Sequence, residues 1–564
     1  MQPAAEEAMP PRHASVLIAG GGPCGLMLAI ELGQRGIPVV LINDKPSTAV
    51  NPQANATQAR TMEHFRRLGF ADEIRQLGLP PDFPTDIAYF TRYAGYELAR
   101  FSLPSSRAAR TLIRNLSGSW SAAELPHRVS QKFVEQVLYR HARKFRSNSL
   151  YFGWRLVGFT QAPDGVTAEV ERVHDGARHI VRAAYLVGAD GARSFVRQQL
   201  GFRYVGETGV MRDFMGGRMY AVYLRCPDFY RVVPHAPAWM NVTFNPHRRA
   251  FMAAVDGQGE FAFHTQLRPH EKEDEVTDER ALKMFQDAVG IPVPAEVLAR
   301  GPWTAGHSLV AEHFQHERVF IGGDAAHLFT PTGGLGYNTA VEDAVNLSWK
   351  LAAVVRGQAP PSLLGTYELE RRPLAVRNTA YAKGFADSLG NYRPVPEIED
   401  DTPAGATARA IAGEHLARHG RMEFNIPGVT FGGRYDDSPI IVRDGTIPPP
   451  DTANEYVPTA CPGGRPPHAW LEEGESLYDV FGPEWTLLVM DADAADVHAF
   501  SDAARTLGIG LTVVQPPQAR LLAQMYESRL AVIRPDHIVA WRGNRAGDAM
   551  GVLRTVLGYH LTAR

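Results

Sequence analysis

Apolar and polar positions change rhythm along the chain, and each change marks an element. Ser15–Ala19 is a short β-rich run that meets the turn Gly20–Gly21–Gly22–Pro23–Cys24–Gly25. Leu26–Arg35 carries helical spacing, Gly36 closes it, and Pro38–Ile42 forms a second strand. This β-turn-α-β order predicts a parallel sheet. Thr61–Leu68 and Gln131–Phe145 have helical spacing, and Tyr151–Val187 breaks into short strands. From Val205 to Leu267 apolar and polar residues alternate, predicting an antiparallel sheet with one face free to cover something. Val319–Ile321 leads through a Gly-rich turn to a long helix over 339–356. Proline-rich stretches at 391–403 and 447–450 read as linker, and an α/β module follows from Gly464, with strands at Thr486–Met490, Leu511–Val514 and Leu530–Ile533. There is no internal repeat.

Composition narrows the class. A chain of 564 residues, 45% hydrophobic and 21% charged, is ordinary for a globular protein of several domains. A net charge of -3 gives no reason to expect nucleic acid, and the basic cluster Arg140–Arg143–Lys144–Arg146 reads as a solvated helix face. The 3 cysteines, Cys24, Cys226 and Cys461, form no CxxC and no disulfide or zinc pattern; no metal is expected, and a reducing cytoplasm suits them. The first dozen residues read as a disordered tail without a secretory h-region. No run reaches the ~18–20 apolar residues that a membrane span needs.

Gly20-x-Gly22-x-x-Gly25 lies between a strand and a helix. The first glycine allows the tight turn, the second lets the backbone approach a pyrophosphate, and the third lets helix and strand pack closely. The helix N-terminus then offers free N–H groups to the anion. An acidic residue usually ends the second strand and binds ribose hydroxyls. Here Asn43 holds that place and Asp44 follows it, so one of the two is expected at the adenosine ribose.

Two later motifs complete a pattern. Leu186–Ser194, containing Asp190 and followed by Val196–Arg197, resembles the DG motif of class A flavoprotein aromatic monooxygenases. Val319–His327, containing Asp324, resembles their GD motif and continues into Pro331, Gly333–Asn338 and Glu342–Ala352. The resemblance covers nearly the whole chain and implies an α/β fold like that of para-hydroxybenzoate hydroxylase. A Rossmann-like FAD-binding domain would carry an inserted antiparallel substrate-binding sheet. A C-terminal thioredoxin-like α/β domain without CxxC would follow, as in the phenol hydroxylase branch; its markers are Arg465–His468, Tyr526 and Val532–Gly543. The expected boundaries are 13–204 and 301–390 for the FAD-binding domain, 205–300 for the sheet, 391–463 for the linker and 464–564 for the appendage, which is structural or a homodimer contact.

What the resemblance implies for the site is specific. FAD would rest on Gly20, Gly22 and Gly25, on Asp190, and on Asp324 through a ribityl hydroxyl. Gly334, Leu335, Gly336 and Asn338 would face the flavin pyrimidine edge, with Gln131 and Arg60 beside the cofactor. NADH or NADPH would bind transiently, since no second GxGxxG exists; Arg193 and Arg197 are candidates for its phosphates or for salt bridges. A flavin C4a-hydroperoxide formed from O2 would hydroxylate a small phenolic or other electron-rich aromatic substrate. Substrate contacts are expected from Tyr223, Trp239, Asn241, Thr243 and the backbone around Pro331, with His264 a further candidate. Tyr220 and His235 are the candidate catalytic groups, along with Asn55, which stands where some phenol hydroxylases carry an aspartate and cannot act as a base. The alternative on the same scaffold is a Baeyer–Villiger or epoxidising oxygenase acting on a polyketide. A halogenase is disfavoured by the absence of WxWxIP, and a non-enzymatic FAD-binding protein by the intact glycines, Asp324 and Gln131.

Overall fold

Burial on both faces makes His13–Ala19, Val39–Asn43 and the end of Arg178–Gly188 near-continuous apolar runs, and they pair in parallel at the centre of an eight-stranded sheet. Asn148–Phe152 extends it on one side and Val319–Ile321 on the other, both in parallel. A meander, Trp154–Ala162 and Gly165–Arg172, folds back onto Arg178–Gly188. The first helix, Pro23–Gln34, is buried from Cys24 to Gly33 and packs against the long helix Leu335–Val355. This computed structural model describes residues 9–471 and 474–562; the expected tail lies, up to residue 8, outside the described residues.

The second sheet has seven strands in the order Glu296–Ala305, Gly217–Arg225, Glu260–Gln266, Ala250–Ala254, Met240–Thr243, Ile87–Phe90, Glu97–Phe101. It therefore reaches beyond the expected 205–300, taking two strands from the first third of the chain. It is also mixed: Met240–Thr243 runs parallel to Ile87–Phe90, while the remaining pairs are antiparallel.

The segment expected to be a linker is structured. Pro403–Phe424 is a helix of 22 residues, capped by Thr402, that packs on the edge strand Glu97–Phe101. Its small residues hid it from hydrophobic periodicity: a Cβ on Gly413 would stand 2.5 Å from the Leu98 carbonyl oxygen, so contact requires the glycine that made the stretch look like loop.

The C-terminal module has four strands in the order Leu511–Val514, Trp485–Val489, Leu530–Ile533, Val539–Gly543, the first pair parallel and the others antiparallel. It docks on the long helix through an edge-to-face contact of Trp349 with Trp485, and on the next helix, Thr366–Gly390, through Arg534, which pairs with Glu370 at 2.7 Å where neither side chain is exposed. Among the described residues no helix is long and apolar enough to cross a membrane.

Candidate functional site

The Gly20–Gly25 turn is built as its spacing requires. Gly20 has φ +116, and a Cβ there would lie 2.0 Å from the Ala189 carbonyl oxygen; a Cβ on Gly25 would lie 2.0 Å from that of Gly20. A Cβ on Gly22, by contrast, would meet nothing within 4 Å, so at this point the backbone faces open space. No side chain caps the following helix and its first turn holds no acid, which leaves its N–H groups for an anion. Asn43 turns its oxygen inward to accept from the Gly21 N–H at 3.0 Å, whereas Asp44 is exposed and paired with Lys45.

Asp190 does not project freely from the DG motif. Its carboxylate accepts from the Ser194 hydroxyl at 2.5 Å and the Val196 N–H at 3.1 Å, closing the turn that starts the helix Phe195–Gln199. Burial outweighs these bonds and raises its pKa. Arg197 is buried and spends one nitrogen on Tyr204 and the carbonyls of Ala192 and Ala325, tying the DG helix to the GD turn; Arg193 remains exposed. Asp324 is exposed in the turn after Val319–Ile321, yet surrounding protein raises its pKa, with His327 opposing.

A buried cluster unseen in the sequence holds that turn. Asp343 accepts from the Gly323 N–H at 3.1 Å, from His327 Nε2 at 2.6 Å and from Arg371 Nε at 2.9 Å. Burial pushes the Asp343 carboxyl up, but His327 and Arg371 outweigh it and hold its pKa below the usual range. The next turn is fixed just as firmly. Gly334 has φ +66, and a Cβ there would press on Ala56 at 2.9 Å. Asn338 accepts from the Gln58 N–H and donates to the carbonyls of Ala56 and Gly334. Leu335 is buried, Gly336 abuts Phe329, and Pro331 is exposed. Gln131 joins the same seam: its backbone N–H bonds Ala54 and its side chain bonds Gln53 and Glu135. Asn55, between them, donates to the Gln53 carbonyl, while its oxygen is buried with no partner among the described residues.

Other candidates are engaged with partners inside the protein. Arg60 was expected beside the cofactor, but its guanidinium is buried and committed to Glu63 and to the carbonyls of Asp536 and His537 in the C-terminal module. His235 packs on Phe90, bonds the Gly95 carbonyl through Nε2 and holds Nδ1 3.9 Å from Glu97 at the strand edge. Thr243 bridges the Arg248 carbonyl and the Ala250 N–H, and Asn241 bonds the Ala238 carbonyl, so both brace the sheet. Tyr220 is buried with its hydroxyl bonded by Arg300. Tyr223 is half-buried between Lys132 and Glu260, and burial and Glu260 raise its pKa. His264 stacks on Phe251, and burial lowers its pKa to about 4. Trp239 is the exception: it is buried under the Arg128 guanidinium at 4.4 Å and meets Phe424 edge-on. Phe424 follows Glu423, which accepts from the Gly333 N–H at 2.9 Å and faces His419 at 2.8 Å. The helix once expected to be linker thus joins the sheet to the glycine turn. No group of His, Cys, Asp and Glu that could hold a metal occurs among the described residues.

Residues 13–382 match the FAD binding domain family and residues 459–560 the aromatic-ring hydroxylase C-terminal family. Aklavinone 12-hydroxylase of Streptomyces purpurascens is 31% identical, over 96% of this chain and 98% of its own. Phenol 2-monooxygenase of a Pseudomonas species is 28% identical, over 93% of this chain and 89% of its own. The solved structure of the flavin-dependent monooxygenase PieE with FAD and substrate superposes with a TM-score of 0.85 at 30% identity, covering 97% of this chain and all of that one. The chain belongs to the FAD-binding aromatic-ring hydroxylases, the class A flavoprotein monooxygenases, with the appended C-terminal domain. It is an FAD-dependent monooxygenase, and NAD(P)H is the reductant typical of that family.

Proposed function

We propose that the protein hydroxylates an electron-rich aromatic ring, phenolic or polyketide-derived, at the expense of NAD(P)H and O2. One observation carries this most directly. The turn that follows the GD motif is fastened by the buried carboxylate of Glu423, and its chain neighbour Phe424 meets Trp239, which leads into the seven-stranded sheet. A cofactor seat and an aromatic-lined face thereby share one wall.

Bound FAD supplies hydride uptake and oxygen activation. The protein's part is to bind, orient and exclude water. The Gly20–Gly25 turn and the helix start at Pro23 would hold the pyrophosphate, and Asn43 or Asp44 the adenosine ribose. Asp324 would hold the ribityl chain and the N–H groups near Gly334–Gly336 the ring edge. The open space above Gly22 and the exposed Asp324 carboxylate fit that assignment. Asp190 and Gln131 would shape this seat through their own hydrogen bonds.

The test is a panel of phenols, hydroxybenzoates and polycyclic polyketides, scored for NAD(P)H oxidation coupled to 18O in the product. Oxygen in a new ring hydroxyl supports hydroxylation; an ester or epoxide product would replace it with the Baeyer–Villiger or epoxidising alternative.

A further inference from the structure

Arg128 is 5% exposed and, among the described residues, has no carboxylate within salt-bridge distance and no hydrogen-bond acceptor. Every other buried arginine among those residues is served. Arg248 has Glu271, Arg371 has Asp343 and Arg212 has Asp387, while one nitrogen of Arg197 bonds Tyr204 and two carbonyls. What supports Arg128 is aromatic: Trp239 at 4.4 Å and Phe424 at 6.0 Å from its guanidinium carbon. Glu423 is the acid whose charge acts on it, but Glu423 already serves Gly333 and His419. None of the Arg128 nitrogens is among the sealed, unbonded polar atoms of the interior.

A buried guanidinium with its donors unused is expensive to keep, and an aromatic face compensates only part of that cost. Burial lowers the Arg128 pKa to about 10, which still leaves it a cation at neutral pH. Its planar fork suits a delocalised oxyanion, a carboxylate above all. Its place follows from two contacts. Trp239 lies at the start of the sheet strand that was expected to touch substrate, and Phe424 adjoins the residue that fastens the glycine turn.

We propose that Arg128 is the substrate's anion receptor, and that the natural guest is an aromatic bearing an oxyanion, either a carboxylate or an acidic phenol already ionised. Resting on the function proposed above, this narrows the substrate class: the guanidinium takes the oxyanion in place of water, and the Trp239 and Phe424 rings flank the aromatic part. Neutral aromatics of the same outline would bind without using the cation. A phenol held there is also kept as the phenolate, the more nucleophilic form of the ring.

The test is binding to the FAD-loaded protein, read from the flavin absorbance shift. Naphthalene-2-carboxylate is compared with its methyl ester, and 4-nitrophenolate with 4-nitroanisole. Each anion is expected to bind roughly ten- to hundredfold more tightly than its neutral partner. Preference for the carboxylate alone or for the phenolate alone supports the proposal and says which oxyanion is used. In Arg128→Gln the preference should vanish while the neutral ligands bind as before, and Arg128→Lys should restore part of it. Wild-type protein that shows no preference for either anion, including no binding of any probe, overturns the proposal without help from a variant. Protein that takes up no FAD would instead defeat the proposed function itself.

Discussion

Replacing Asp343 by asparagine removes one charge and almost no volume, so it isolates what that carboxylate does. Asp343, His327 and Arg371 have fully buried side chains, and both carboxylate oxygens are in use. A carboxylate only accepts, so His327 must donate through Nε2; its Nδ1 is buried without a partner among the described residues. In Asp343→Asn one oxygen can still accept from Arg371, but the amide then offers an N–H where Gly323 and His327 need an acceptor. The Gly323 N–H is orphaned, and Arg371 exchanges a buried carboxylate for a neutral amide oxygen beside Glu342, Tyr435 and the Thr339 carbonyl. Breaking a buried charged pair costs about 3–5 kcal/mol. Glu342→Gln is the control, because it pairs with the same arginine at 3.3 Å but is 28% exposed, and it should cost under about 1 kcal/mol. Urea unfolding followed by tryptophan and by flavin fluorescence reads both variants. Flavin release in Asp343→Asn should precede global unfolding, since two of the three bonds hold the turn that carries Asp324. Equal midpoints for Asp343→Asn and Glu342→Gln, with full FAD content in both, would refute the reasoning.

Three further outcomes are expected. Gly25→Ala should purify with a flavin-to-protein ratio near zero, since its Cβ would sit 2.0 Å from a carbonyl oxygen of the same turn; an ordinary ratio would show that the turn can shift. Burial, with Arg75 adding to it, holds His127 neutral and lowers its pKa to about 3. A depressed histidine contributes its stability above the unfolded value of about 6.5, and that contribution falls by about 1.4 kcal/mol per pH unit below it, so roughly 2 kcal/mol is lost by pH 5; His127→Gln should flatten the melting temperature against pH over this window. Glu63 takes Arg465 and Arg60 into one buried cluster, so Glu63→Gln should loosen the C-terminal module by about 3–5 kcal/mol, seen as faster proteolysis between residues 440 and 465.

Local geometry was readable in the sequence and long-range partnership was not. The turn at Gly20–Gly25 announces itself because Gly20 and Gly25 answer constraints within a few residues or one strand away. The same holds for Gly334, whose positive φ only glycine adopts cheaply. The partners of Arg60 were hidden for the opposite reason. Its partners Asp536 and His537 lie in another module, and nothing near Arg60 in the chain distinguishes an arginine facing a cofactor from one facing a carbonyl. His235 likewise meets its acceptor, Gly95, across the sheet. Ile87–Phe90 and Glu97–Phe101 are short apolar or mixed runs that join the seven-stranded sheet only because Ile87–Phe90 pairs with Met240–Thr243 and Glu97–Phe101 then pairs with Ile87–Phe90. Of the Asp343 cluster, His327 and Asp343 stand within the motif stretches, but Arg371, 28 residues beyond Asp343, carried no signal.

The helix Pro403–Phe424 shows why such misses matter for function. Glycine and alanine lower its hydrophobic signal because they allow close approach: a Cβ on Gly420 would lie 3.2 Å from Phe101 and 3.5 Å from Tyr89. That close approach sets Glu423 against Gly333 and Phe424 against Trp239. The same glycine turn is gripped from the other side by Gln58, which donates to the Gly333 carbonyl, and by Asn338. A backbone held from both sides has little freedom to move one wall without the other. A substrate that draws Arg128 or Trp239 would therefore act on Glu423, and through it on the turn proposed to line the flavin. The helix at the segment expected to be linker is thus a direct physical route between the proposed guest and the proposed cofactor edge.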